Sequence, residues 1–361
     1  KIYQDFQYDT QGRLYRESLP YFAEDSPQWT THSYDSLGRI AQTTAPDNTT
    51  TTYQYSALWD KVTVSKGSTS QSTEKSYNTL GEVIQSKDTD GNIVYFEYTP
   101  DGHVSQTYTS AHPSSKITLE YDIHGNRITL NDPDAGTTSS MYDAFGHLLR
   151  EVTAGGDTTT LAYDDLGRVT QRTDTRGEIR YVYVIDTIDA AFGKPDSTYL
   201  VGGNLSESYT YDAAYGRLIE VVRRTPDKTF SNQFTYDWYG RLQTRRYPSG
   251  FEIDYTYTDG GELEEISAAG QTLWSCSDKN AFGQITSYAQ GSYSTSVTYD
   301  AYGRLTRLLT GTVADLRNTY DDAGNIASRE DYLTAQKEMF DYDDLNRLTG
   351  IDYYLNNVHT T

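Results

Sequence analysis

The sequence predicts an all-β chain: a repetitive antiparallel ribbon of hairpins. Three observations lead there. A tyrosine followed by aspartate, two variable residues, glycine, a basic or polar residue and an aliphatic one recurs roughly every 21 residues, and such a period marks a repeat architecture. Between these motifs the chain alternates with period two: Ile179, Tyr181 and Tyr183 share one face, and residues 251–257 behave alike. Alternation is the pattern of a strand, whose successive side chains point to opposite faces. Finally, glycine or proline interrupts the chain about every ten residues, too often for helices of ordinary length.

Each element follows from that frame. Good copies of the motif begin at Tyr8, Tyr34, Tyr142, Tyr163, Tyr236, Tyr299 and Tyr320. Tyr121 keeps Asp122 and Gly125, Tyr77 has Asn78 in place of aspartate, and Tyr342 has Asn346 where glycine belongs. Tyr98 and Tyr257 keep only the glycine; Tyr55 and Lys279 open degenerate copies. Tyr211–Gly216 and Ile188–Gly193 carry one extra residue. These make about 16 registers in a single domain over 1–361, with an irregular insertion near 184–210. A short helical turn is expected only over Val184 to Ala191. The chain opens inside a repeat and reads as a fragment of a longer one.

Each register holds two tight turns. In Asp164-Asp165-Leu166-Gly167 the aspartate accepts from backbone N–H groups ahead of it, and the glycine takes the left-handed conformation that closes a type I turn with a bulge. Asp174-Thr175-Arg176-Gly177 and Asp88-Thr89-Asp90-Gly91 supply the second kind of turn. Two strands per register give a ribbon of about 32 strands, and a twisted sheet that wide must curl or close. Its tyrosine face then lines a lumen or meets a later turn of the same spiral.

Composition sets further bounds. The net charge of −21 argues against a nucleic-acid groove, which needs a basic stripe. Hydrophobic residues make up only 36%, yet 34 tyrosines at regular intervals argue against disorder. Cys276 is the only cysteine, so no intrachain disulfide and no cysteine-rich metal site is possible. No membrane-spanning stretch is present in the sequence.

The recurring Tyr-Asp-x-x-Gly-Arg, with an aliphatic residue next, at Tyr8, Tyr34, Tyr163, Tyr236 and Tyr299 resembles the YD or RHS repeat. The resemblance runs from Tyr8 to about Leu348. The family includes bacterial Rhs polymorphic toxins, wall-associated proteins, shell components of insecticidal toxin complexes, and teneurins. It implies a spiralling β-ribbon that winds into a hollow shell or barrel-like wall, which in the toxins encloses a C-terminal effector. The sequence lacks the core segment with self-cleavage aspartates that closes such shells, so autoproteolysis is not assigned.

The repeat residues are Tyr8, Asp9, Gly12 and Arg13; Tyr34, Asp35, Gly38 and Arg39; Tyr163, Asp164, Gly167 and Arg168; Tyr236, Asp237, Gly240 and Arg241; and Tyr299, Asp300, Gly303 and Arg304. A residue copied this often is a turn former rather than a catalyst, and the arginines are expected to pair with carboxylates or lie over tyrosine rings. The candidate chemistry is His103, His124 and His147 with Tyr121, Tyr142 and Arg127, which as a cluster would suit proton abstraction from an acidic polysaccharide. Trp29, Trp59, Trp238 and Trp274 are the candidate sugar-stacking residues. No cofactor or metal is expected, since no histidine spacing suits a metal and the Asp-rich stretches 88–90 and 131–134 fit turns better than calcium loops. The expected function is a non-enzymatic shell or scaffold of a secreted or surface toxin-like protein. Its partners would be the rest of the parent chain or an effector, with glycans second and a teneurin-like adhesion role third. The chain itself is expected to be a monomer.

Overall fold

The computed structural model describes residues 1–356 and 358–360. It is all-β: 35 strands and no helix among the described residues. By contacts the chain divides into two compact units. Unit 1 comprises Lys1–Phe96, Thr109–Pro113 and Trp274–Thr361; unit 2 comprises Glu97–Tyr108 and Ser114–Leu273.

Within each unit the ribbon is built by one rule: a strand pairs antiparallel with its neighbours in sequence. In unit 2, Thr158–Tyr163 pairs with Val169–Asp174, which pairs with Gly177–Tyr183, which pairs with Pro195–Leu200. Among the described residues, unit 1 departs from the rule near its start. Tyr21–Phe22 folds back onto Ile2–Tyr3, and Leu14–Ser18 pairs past it with Trp29–Tyr34.

The motif tyrosine ends its strand at a bulge, with register shifts between Ser33 and Tyr34, Ala162 and Tyr163, Thr235 and Tyr236, and Thr298 and Tyr299. The turn that follows is the predicted one. Asp164 N donates to Arg168 O, and Gly167 N donates to Asp164 O at 2.9 Å. Gly167 has φ +75°, a left-handed value that only glycine adopts without strain.

Two local expectations are corrected. Residues 184–194 form turns and not a helical turn, with bonds from Asp189 N to Asp186 O and Phe192 N to Asp189 O. The register there opens at Tyr183, not Ile188: Val184 and Gly193 close the loop, and Lys194 follows the glycine. The regular strands Pro195–Leu200 and Ser206–Tyr211 confine the irregularity to that loop and the next turn.

The apolar core is thin. Among the described residues only Ala191, Ile253, Ala268 and Val297 are buried hydrophobics; most strand side chains are half-buried. A ribbon with so little buried apolar area suits a chain of 36% hydrophobic content.

In unit 1 early and late repeats meet. The side chain of Gln71 donates to Asp344 O at 2.7 Å and accepts from Asn346 Nδ2 at 3.1 Å, across more than 270 residues of sequence. Lys66 pairs with Asp47 at 2.8 Å and sits 6.0 Å from the Tyr302 ring. The Tyr-Asp turns of the C-terminal repeats are therefore overlain by the edge of the N-terminal ribbon.

Candidate functional site

The recurring residues form a ladder, and most rungs share one chemistry. Asp164 Oδ1 accepts from the backbone N–H groups of Leu166 and Arg168, and its Oδ2 takes Arg168 Nε at 2.7 Å. The Arg168 guanidinium then lies over the next motif tyrosine, Tyr183, at 4.3 Å. The Tyr183 hydroxyl donates back to Val169 O, on the residue after that arginine. The pattern recurs for Arg13 over Tyr34, Arg39 over Tyr55, Arg241 over Tyr257 and Arg304 over Tyr320, all at 4.3 or 4.4 Å. The hydroxyls of Tyr34, Tyr163, Tyr236 and Tyr299 donate to Leu14, Leu148, Leu218 and Ile285 carbonyls. Each arginine thus ties its own turn to the next strand pair, using the cation–π attraction and a backbone acceptor together.

Electrostatics follow. The Arg168 side chain, then its backbone N–H, hold the Asp164 carboxyl below its usual value. The backbone N–H of Arg13 does most for Asp9, aided by its guanidinium. Asp174 is drawn down to about 2 by Arg176. Carboxylates held this way stay ionised and are weak proton acceptors at neutral pH. They serve the turns. Burial, conversely, pushes the hydroxyls of Tyr163, Tyr236 and Tyr299 up.

The candidate histidines take places on this ladder. His147 stands where arginine stands elsewhere: its Nδ1 contacts Asp143 Oδ2 at 2.9 Å and its ring stacks on Tyr163 at 4.7 Å. His103 occupies the same position and packs on Tyr121 at 4.8 Å. His124 sits one place before the turn glycine, exposed, with its N–H on Asp122 Oδ1. Arg127 is exposed at the aliphatic position of its motif, and Tyr142 ends its strand half-buried opposite Leu148. The structure spreads these six over successive rungs: His103 is engaged with Tyr121 and His147 with Tyr163, not with each other. Among the described residues no group of three His, Cys, Asp or Glu is placed to hold a metal ion.

Residues 142–179 match the sequence profile of the family described as RHS Repeat. The whole chain superposes on the crystal structure of TcdB2-TccC3-Cdc42 with a TM-score of 0.82 at 19% identity, covering 97% of this chain. TcdB2-TccC3 alone gives 0.82 at 18%, again over 97%. A Photorhabdus luminescens Tc holotoxin pore carrying a TccC3 point mutation gives 0.81 at 18%, over 96%. Residues 142–179 thus carry an RHS repeat, and the chain shares the fold of those structures. It spans only about a fifth of those longer chains, 21% of the first and 22% of the second. No curated protein matches it.

Several parts of the RHS ladder were not singled out from sequence. Lys194, Gln284 and Asn325 replace arginine, and each reaches the next turn: Lys194 to Gly216 O, Gln284 to Gly303 O at 2.8 Å, Asn325 to the Asn346 side chain at 3.0 Å. The signal was available, because all three directly follow the turn glycine or its equivalent. Asp315 is different. Arg307 and Arg317 face each other across paired strands, where like charges repel. Asp315, 6% exposed, bridges them with bonds of 2.8–3.1 Å, and Arg307 first and Arg317 second drive its carboxyl far down.

The tryptophans do not converge. Trp29 is half-buried under Arg16 at 4.3 Å, and Trp274 tilts against Tyr288 at 6.5 Å. Trp59 is partly exposed at a strand start, and Trp238 stands on a turn tip. A crevice of about 810 Å³ in unit 1, between Leu19–Phe22 and the Phe282 turn, is lined by none of them, nor is the 500 Å³ crevice of unit 2.

Proposed function

We propose that this chain is a stretch of shell-type wall, a scaffold with no chemistry of its own, in a secreted toxin-like protein. The wall would enclose or display a guest supplied by the rest of a longer protein. One observation carries the reading: the motif aspartates and tyrosines, with His103 and His147, are spent on the ladder. Motif aspartates are saturated by turn N–H groups and arginines, motif tyrosines by carbonyls, and His103 and His147 by ring stacking. The likeness to the TcdB2-TccC3 fold supports a shell-type role. Acidic groups at −21 net charge would suit a basic guest.

Two measurements test it. A guest polypeptide fused to the C-terminus should be cut by protease more slowly than the free guest; equal rates would remove the enclosing role. Acidic polysaccharides incubated with the chain should yield no unsaturated uronate product. Product that disappears in a His147→Ala variant would replace the scaffold with a lyase.

A further inference from the structure

Strands run alternately up and down, so every second turn of the ribbon falls on one edge. In unit 2 the edge of Tyr-Asp turns carries bare apolar tips: Ile123 at 96% exposure, Phe145, Leu166, Tyr215, Trp238 at 93%, and Tyr239. Single exposed apolar side chains are ordinary, but a contiguous set is not. The tips from Ile123 to Tyr215 are contiguous because consecutive turns touch, and Arg217 lies over both the Tyr215 ring and Tyr236, the strand-end residue of the Trp238 turn. A Cβ at Gly146, Gly167 or Gly193 would meet Asn126, His147 or Arg168 of the preceding turn within 3.6 Å.

Unit 1 shows what covers such an edge. There Tyr302 is half-buried near Lys66, and a Cβ on Gly67 would lie 2.5 Å from Asp322 of the next Tyr-Asp turn. Gln71 grips the turn after that. The covering groups come from hairpin turns on the opposite edge of the same ribbon, around 45–48 and 66–69. Leu37 and Leu80, tips in unit 1 that no such turn overlies, are bare as in unit 2.

We propose that the Tyr-Asp turn edge of unit 2 docks a second ribbon layer, presented by another copy of this chain through its opposite-edge turns. Those turns exist, exposed and built from small and acidic residues, at 133–135 and 154–156 and near Pro226. The contact is heterologous: each copy receives on one edge and offers the other, so assembly continues as an open stack instead of stopping at a dimer. Like charge opposes it, and salt should favour it. The inference does not rest on enclosure of a guest, and either can fail without the other.

Sedimentation velocity of the whole chain, from about 5 to about 200 µM in low and in about 0.5 M NaCl, tests it. The expected result is species larger than dimer that grow with concentration and salt. A Phe145→Lys/Trp238→Lys double variant should need at least tenfold more protein to associate while its circular-dichroism melt stays unchanged. A monomer under every condition would overturn the proposal, as would association indifferent to the two substitutions. Binding of oligosaccharides that quenches Trp238 without changing sedimentation would assign the edge to glycans instead.

Discussion

Tyr302 in unit 1 and Phe145 in unit 2 occupy the same place in the same turn, directly before the glycine. Yet Tyr302 is half-buried and Phe145 is 86% exposed. The turns themselves do not differ: Asp300 grips Arg304 as Asp143 grips His147. What differs is the neighbour. Where a hairpin of the opposite edge comes within reach, it covers the turn, Lys66 standing near the Tyr302 ring and Gln71 donating to Asp344 O; the Phe145 tip has no such cover. The repeat therefore builds its ladder from local chemistry and leaves its edge open for a further layer.

Acid should produce the largest effect and affects both units alike. Asp9, Asp35, Asp143, Asp164, Asp237 and Asp300 have folded-state values below the ordinary carboxyl value of about 3.9, with Asp174 near 2 through Arg176. Their stabilisation is complete above about pH 4 and is lost as pH falls through the folded values. Hydrogen exchange read by peptide should show both units losing protection together between pH 5 and pH 2. Loss in one unit only would mean that the ladder is not the common element.

Next comes Gly216→Ala. Its φ of +64° strains any other residue, by about 1–3 kcal/mol, and the new Cβ would lie 2.3 Å from the Ala190 carbonyl oxygen. Gly240→Ala meets nothing within 4 Å and carries the φ cost alone. Urea titration should separate the two. Equal midpoints would show that consecutive turns do not press on one another.

The comparison of tips is sharpened by Tyr302→Ala against Phe145→Ala. The first should cost about 1–2 kcal/mol through lost burial, and the second should stay within about 0.5 kcal/mol. Matching losses would mean that layer contact contributes nothing at the covered tip. Smallest is Gln71→Ala, which removes two bonds to the 343–347 turn. About 0.5–1 kcal/mol is expected, visible as faster exchange in that turn and none elsewhere.

Much of this was legible residue by residue. Tyr-Asp-x-x-Gly-Arg encodes a bulged turn because glycine takes the left-handed position without strain, asparagine doing so once at Asn346, and aspartate both caps the turn and holds the arginine. Placement failed at Ile188, where a loop closed by Val184 and Gly193 separates the tyrosine from its glycine. Proximity in the chain then pointed to the wrong start. Equivalent turn positions in nearby repeats suggest a cluster of His103 and His147; their place directly after the glycine instead makes them substitutes for arginine over the next tyrosine ring.

The sequence by itself determined the strands, the turns and the rungs, because each depends on groups within one or two repeats of each other. Only the tertiary structure decided which turns are covered. Gln71 meets Asn346, and Lys66 approaches Tyr302, across separations that no periodicity reports. Coverage depends on the accumulated twist and stagger of many strands, to which each residue contributes a little and no motif contributes enough to read.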